Sequence, residues 1–150
     1  MSELTDLYQE LILDHYKNPR NCYRINEPTH KAEGHNPLCG DRVQIFLRLR
    51  DGVIEEISFE GNGCAISRAS ASLMTAQLKG MSVTEAQALF GKVHQMLTDG
   101  SGGEEALEEL GKLAALSGVR EFPVRVKCAS LAWQTLRHAL LSHKDAAKTE

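Results

Sequence analysis

A stretch with one apolar face in a two-residue period and a second apolar-rich stretch meet at a single turn dipeptide, and this pairing limits the fold more than any other feature of the chain. Val43, Ile45, Leu47 and Leu49 alternate with Arg42, Gln44, Phe46 and Arg48. A two-residue period places one set on one face of a β-strand. Asp51-Gly52 follows, a dipeptide suited to a tight hairpin turn with positive φ. Val53 to Glu60 then reads as the returning strand, and Gly61-Asn62-Gly63 breaks it. The result is an antiparallel hairpin whose apolar face other elements must cover.

The covering elements carry a helical period. Leu4, Leu7, Tyr8, Leu11, Ile12 and His15 predict an amphipathic helix over Thr5 to Tyr16, closed by Asn18-Pro19 because proline cannot continue the hydrogen-bond ladder. Cys22 to Leu38 has no clear period and reads as a long connection with one short strand near Lys31 to His35. From Cys64 onward Ile66, Ala69, Leu73, Ala76 and Gln77 share one stripe, which ends at Lys79-Gly80. Ser82-Val83-Thr84-Glu85 has the form of a capping box. It opens a helix carrying Ala86, Leu89, Phe90, Val93, Met96 and Leu97. Asp99 to Gly103 is a flexible break. A further helix is expected over Glu104 to Leu116, stopped by Gly118. Phe122-Pro123 enters an extended stretch over Val124 to Lys127, and the last helix starts near Cys128 and uses Leu131, Ala132, Thr135, Leu136, Ala139 and Leu140. His143 to Glu150 is a polar tail expected to fray. The fold class is α+β: a small antiparallel β-sheet covered by helices, one domain over residues 1–150 with no internal boundary.

Composition narrows the function. The charged fraction is 25% and the net charge −3, which argues against a general nucleic-acid binder, since that needs a cationic face. No apolar run reaches the roughly 18 residues of a membrane span. Met1 to Asp6 is acidic and has no secretory pattern, so a cytoplasmic location is expected. Thiols stay reduced there, and cysteines read first as metal ligands or reactive groups.

The four cysteines, Cys22, Cys39, Cys64 and Cys128, contain no C-x-x-C pair, which argues against a zinc ribbon or a thioredoxin-like redox pair. Their neighbours say more. Cys39 lies in Asn36-Pro37-Leu38-Cys39-Gly40-Asp41, directly before the first long strand. Cys64 follows Gly61-Asn62-Gly63 and opens a helix, and Cys128 follows the expected extended stretch and opens another. A helix N-terminus favours the thiolate, the form that binds metal and attacks sulfur. The antiparallel hairpin brings the start of one strand and the end of the other to the same edge, so Cys39 and Cys64 meet. Asp41 stands within reach as a further ligand. Three thiolates and a carboxylate suit tetrahedral zinc. The competing reading is that a cysteine is a small buried hydrophobe, and it is kept for Cys22.

Three motifs in order complete the picture. Asn36-Pro37-Leu38-Cys39-Gly40-Asp41, then Gly61-Asn62-Gly63-Cys64-Ala65-Ile66-Ser67, then Pro123-Val124-Arg125-Val126-Lys127-Cys128-Ala129 resemble the U-type iron–sulfur cluster assembly family with its NifU/IscU-like (SufE/NifU-like) fold. The early Leu7-Tyr8 to Pro19-Arg20 stretch is also family-like, and the likeness runs from Leu7 to about Leu141. Lys127 stands where many scaffolds of this family have histidine, and there is extra sequence around Gly100 to Leu116. Both features resemble the SufU-like branch of zinc-dependent sulfurtransferases. The resemblance implies a zinc site of Cys39, Asp41, Cys64 and Cys128. It implies that Cys39 is the catalytic residue, accepting persulfide sulfur from a SufS-like cysteine desulfurase once a histidine of that partner displaces it from the metal. It also implies downstream iron–sulfur assembly proteins as partners. The alternative under the same resemblance is a scaffold that assembles and hands on a transient 2Fe–2S cluster, or holds iron. A third reading is a purely structural zinc. Arg125 and Lys127 flank Cys128 as supporting cations that offset the negative ligand set, although each also reads as an ordinary surface charge.

Other side chains have plainer readings. His15 lies on an apolar stripe and reads as a packed or hydrogen-bonded core residue. His35 is an exposed histidine near Cys39, and His94, His138 and His143 show no ligand spacing. Glu104, Glu105, Glu108 and Glu109 suit a solvated helix start. No phosphate-binding glycine loop and no serine-hydrolase elbow is present.

Overall fold

The hairpin lies at one border of the sheet, with its first strand inside and its second at the edge. In the computed structural model, which describes residues 3–37, 40–98, 108–119, 122–141 and 147–148, strand β2 (Asp41–Arg50) pairs antiparallel with β3 (Val53–Asn62) on one side and with β1 (His30–Asn36) on the other. Asp51 and Gly52 take φ of 53° and 77°, the two left-handed positions that a two-residue hairpin turn needs. The register runs from Arg50↔Val53 to Arg42↔Asn62. A bulge follows Arg48: Arg48 faces Glu56 and Leu49 faces Ile54, so Glu55 is the extra residue. The two-residue strand β4 (Ala147–Lys148) pairs parallel to Ala32 and Glu33, and the sheet order is β3-β2-β1-β4. Ala147 and Lys148 are therefore paired in the sheet and not frayed as expected for the tail; the rest of that tail lies outside the described residues.

Helices cover one face. Val43, Ile45 and Leu47 of β2 and Ile57 and Phe59 of β3 are buried on that side. Helix α2 (Ala65–Leu78) lies against β3, and α4 (Pro123–Leu141) lies across β1 and β2. Leu73, Met74 and Leu78 from α2 and Leu131, Trp133 and Leu136 from α4 fill the space between. Each such side chain contributes about 1.5–3 kcal/mol by leaving water. Helix α1 (Glu3–Lys17) packs on α2 and on a 3-10 segment (Gly111–Val119), and α3 (Val83–Thr98) packs on α4. The capping box holds as read: the Glu85 N–H donates to Ser82 Oγ at 3.1 Å, and the Ser82 N–H donates to Glu85 Oε1 at 3.4 Å. On the other face of the sheet, Phe46 is buried beneath the Arg24 guanidinium, 5.5 Å from its ring centroid.

Two expectations about helix extent fail. Val124 to Lys127 is not extended; it forms the first turns of α4, which starts at Pro123. Proline at the first helical position lacks only an N–H that would have no partner there, and its φ already suits the helix. The helix expected over Glu104 to Leu116 does not run through: Gly111 takes φ of 57°, and a 3-10 segment continues to Val119. The break at Asp99 to Gly103 and the residues Glu104 to Leu107 lie outside the described residues. Glu108 and Glu109 are exposed as read, and Glu109 pairs with Lys92 at 3.2 Å. None of the described helices is long and apolar enough to cross a membrane.

Candidate metal centre

The hairpin register decides the first part of the site. Arg42 faces Asn62, so Asp41 at the head of β2 comes level with Gly63, one residue past the end of β3. Asp41 is almost completely buried (2% exposed). Its Oδ1 accepts the backbone N–H of Cys64 at 2.8 Å, and its Oδ2 lies 3.4 Å from Cys64 Sγ. Cys64 is the N-cap of α2, with extended backbone, and its sulfur accepts the N–H of Ser67 at 3.4 Å. Sulfur thus takes the place that Ser, Thr or Asp oxygen usually holds at a helix start. Cys64 is exposed.

The second part comes from α4. Cys128 is buried, and it is not at a helix N-terminus as expected. It sits in the second turn, because the helix begins at Pro123. A buried hydrogen bond sets its distance from α2: Ser70 Oγ donates to the carbonyl of Ala129, the next residue, at 2.6 Å. One carboxylate oxygen of Asp41, Cys64 Sγ and Cys128 Sγ all lie within 4.8 Å of one another. Tetrahedral zinc with Zn–S of about 2.3 Å and Zn–O of about 2.0–2.2 Å has donors roughly 3.5–3.8 Å apart. The 3.4 Å between Asp41 Oδ2 and Cys64 Sγ is already such an edge. Two thiols and a carboxylate are a borderline-soft donor set, suited to zinc or iron and not to magnesium or calcium. The three residues fit a tetrahedral ion and leave it one further position.

An apolar groove of about 940 Å³ opens beside these donors. Ile12 and Leu13 of α1, Ile66 of α2, Val119 of the 3-10 segment and Val124 of α4 line it, and Cys64 and Cys128 both reach it. Leu13, Phe122 and Val124 are exposed. Separate sequence segments build this groove, and no local pattern in any of them announces it.

The remaining sequence candidates are placed as follows. Cys39 lies outside the described residues; in the chain it stands two residues before Asp41. Cys22, read as a small buried hydrophobe, is instead exposed, and it does not belong to the donor cluster. Arg125 and Lys127 do not alternate along an extended strand. Both are exposed; Arg125 stands one helical turn before Cys128, lines the groove and lies 4.6 Å from the centroid of the Phe122 ring, and Lys127 is not among the groove's lining residues. His35 is exposed on β1 opposite Arg42. His15 is buried with its Nδ1 2.7 Å from Ser72 Oγ; burial pushes its pKa down, and the Arg20 cation adds to this. His94 stacks on Phe90. Gly63 and Ser67 enter the sequence reading only as motif neighbours of Cys64, and Ser70 has no role in it. The glycines beside Cys64 were a signal for the first; the two serines gave none.

Comparison with known proteins agrees with this architecture. The family model of the NifU-like N-terminal domain matches residues 7–149. The zinc-dependent sulfurtransferase SufU of Bacillus subtilis (strain 168) is 40% identical over 149 residues, covering 99% of this chain and 95% of the relative. The iron–sulfur cluster assembly scaffold protein IscU of Streptococcus pyogenes serotype M1 is 38% identical, covering 97% of this chain and 90% of that protein. A crystal structure from Fervidobacterium islandicum AW-1, described as a scaffold protein for the SUF system, superposes with a TM-score of 0.79 at 32% identity. It covers 93% of this chain and 99% of the other.

Proposed function

The chain belongs to the NifU-like N-terminal domain family of iron–sulfur cluster assembly proteins, and from that premise we propose that it is a zinc-dependent sulfur acceptor working with a cysteine desulfurase. The observation that carries the reading is the meeting of Asp41, Cys64 and Cys128 donors within 4.8 Å, in a chain 40% identical to a protein named a zinc-dependent sulfurtransferase. Asp41, Cys64 and Cys128 hold the zinc, and Cys39, two residues before Asp41 in the chain, supplies the fourth ligand. Bound zinc supplies Lewis acidity that keeps its thiol ligands deprotonated at neutral pH.

Cys39 is the acceptor. Its thiolate attacks the outer sulfur of the desulfurase persulfide; a new S–S bond forms on Cys39, the donor's S–S bond breaks, and the donor cysteine leaves as thiolate. The groove beside Cys64 and Cys128 receives the apolar segment that carries the donor persulfide. Arg125, on the groove wall, and Lys127 offset the negative charge of three thiolates and a carboxylate. The test is desulfurase turnover with the zinc-loaded protein. Wild type stimulates it and Cys39→Ala does not; equal stimulation by both overturns the reading.

A second reading has its own support. Relatives named scaffold protein IscU are as much as 38% identical to this chain, so the same ligands are read there as a seat for a transient 2Fe–2S cluster. Anaerobic reconstitution separates the two. A stoichiometric cluster that passes to an apo-acceptor favours the scaffold, and zinc that iron cannot displace favours sulfur transfer.

A further inference from the structure

Gly63 stands between two parts of the donor cluster. A Cβ built on it would lie 3.1 Å from Asp41 Oδ1, 3.2 Å from Asp41 Cγ and 3.2 Å from Ser67 Oγ. Contacts of that length are tighter than real Cβ atoms ordinarily make. Its φ is outside the left-handed region, unlike that of Gly40, Gly52, Gly80 and Gly111, so the backbone itself accepts alanine here. What glycine provides at this position is space, and the Asp41 carboxylate occupies it. Asp41 is buried, with Oδ1 fixed on the Cys64 N–H at 2.8 Å and Oδ2 at 3.4 Å from Cys64 Sγ. Because Asp41 and Gly63 are level across the hairpin, the missing side chain lets the carboxylate fold over the end of β3 and reach the first residue of the α2 turn.

We propose that Gly63 is a positioning residue of the donor cluster: the absence of its side chain sets the Asp41–Cys64 pair at the separation a tetrahedral ion requires. The proposal rests on the metal reading for its consequence, and on packing alone for the geometry. A methyl group at position 63 is clamped between the Asp41 carboxylate and the Ser67 hydroxyl. It displaces Oδ1 from the Cys64 amide and turns Oδ2 away from the sulfur. Ser67 holds Cys64 Sγ through its backbone N–H, so removing its hydroxyl keeps that contact and frees room on one side of the methyl.

The test uses the full chain as wild type, Gly63→Ala and the Gly63→Ala/Ser67→Ala pair. Cobalt(II) is the probe, followed by its d–d and thiolate charge-transfer bands and by competition with a chelator. The Cys64 amide proton shift in metal-free protein is the second readout. Gly63→Ala is expected to weaken cobalt binding by about tenfold or more, as loss of a supporting contact does at metal sites. Its d–d bands shift, its Cys64 amide proton moves upfield as the bond to carboxylate lengthens, and Ser67→Ala restores part of each. Cobalt affinity within about twofold of wild type, with an unmoved Cys64 amide, overturns the proposal. Should Gly63→Ala fail to fold, the pair decides: the same weakened cobalt binding and shifted amide support the proposal, and wild-type values for both overturn it. If wild type binds no cobalt, the metal reading fails by itself, and the amide shift alone then decides whether Gly63 positions Asp41.

Discussion

Asp41 Oδ1 accepts the backbone N–H of Cys64 at 2.8 Å, so the first residue of β2 holds the residue that caps α2. One carboxylate oxygen is committed to the backbone, and the other lies beside sulfur. The sheet and the helix layer are joined where the donors gather, which makes the geometry of the centre a property of the fold.

The two duties of Asp41 are separable. Asp41→Asn keeps an acceptor for the Cys64 N–H and loses the charge. Its metal-free stability is expected to stay within about 1 kcal/mol of wild type, while zinc affinity falls by at least about tenfold. Asp41→Ala loses both duties and destabilises the metal-free protein by roughly 1–3 kcal/mol as the Cys64 N–H is left without its acceptor. Urea unfolding in chelator and zinc competition titrations read the two effects.

Ser70 ties α2 to α4 next to Cys128. Ser70→Ala removes one buried hydrogen bond, while the Ala129 carbonyl keeps its place in the helix. About 1 kcal/mol of stability is expected to go. The looser α2–α4 spacing also lowers zinc affinity, which a change confined to stability would not do. Urea midpoints and chelator competition on the same samples check this.

His15 makes stability fall on the acid side. Its folded pKa lies below the ordinary 6.5, first through burial and then through Arg20. The unfolded chain therefore binds the proton more readily. Stability is full above about pH 6.5 and declines as pH drops below that value towards the folded pKa. His15→Gln should flatten this part of the urea-midpoint profile between about pH 5 and 7. A variant that follows wild type there would contradict the assignment.

Tyr23 should be the late phenol. Its hydroxyl donates to Glu56, and this bond pushes its pKa up to about 12. Its contribution is present below the unfolded value of about 10 and is lost as pH rises through the folded value. The chain has three tyrosines, so an ultraviolet titration resolves the late step, and Tyr23→Phe should remove it.

Much of this architecture was legible where local rules suffice. The alternating run before the Asp51-Gly52 turn and the returning stretch after it specified the hairpin, and that hairpin predicts that Cys39 meets Cys64 with Asp41 two residues away; Asp41 is the part of that prediction the described residues contain. Cys128 joined them only through its expected place at a helix start and through family resemblance, because the Ser70–Ala129 contact that positions it links residues 59 apart. The first turns of α4 were misread because Val124 and Val126 alternate with Arg125 and Lys127 as in a strand. Proline at the first helical position and the packing of Leu131 to Ala139 override that pattern. The groove draws its walls from four separate segments, and Gly63 matters for a side chain it lacks. Neither leaves a periodic trace.

In the proposed function Cys39 takes the sulfur while Cys64 and Cys128 hold the metal. Mass spectrometry on zinc-loaded protein incubated with a cysteine desulfurase and cysteine, then alkylated and digested, reads this directly. An extra sulfur is expected on the Cys39 peptide and none on the peptides of Cys22, Cys64 or Cys128. Sulfur on Cys64 or Cys128 with Cys39 unmodified, or full labelling in a Cys39→Ala variant, would contradict that proposal.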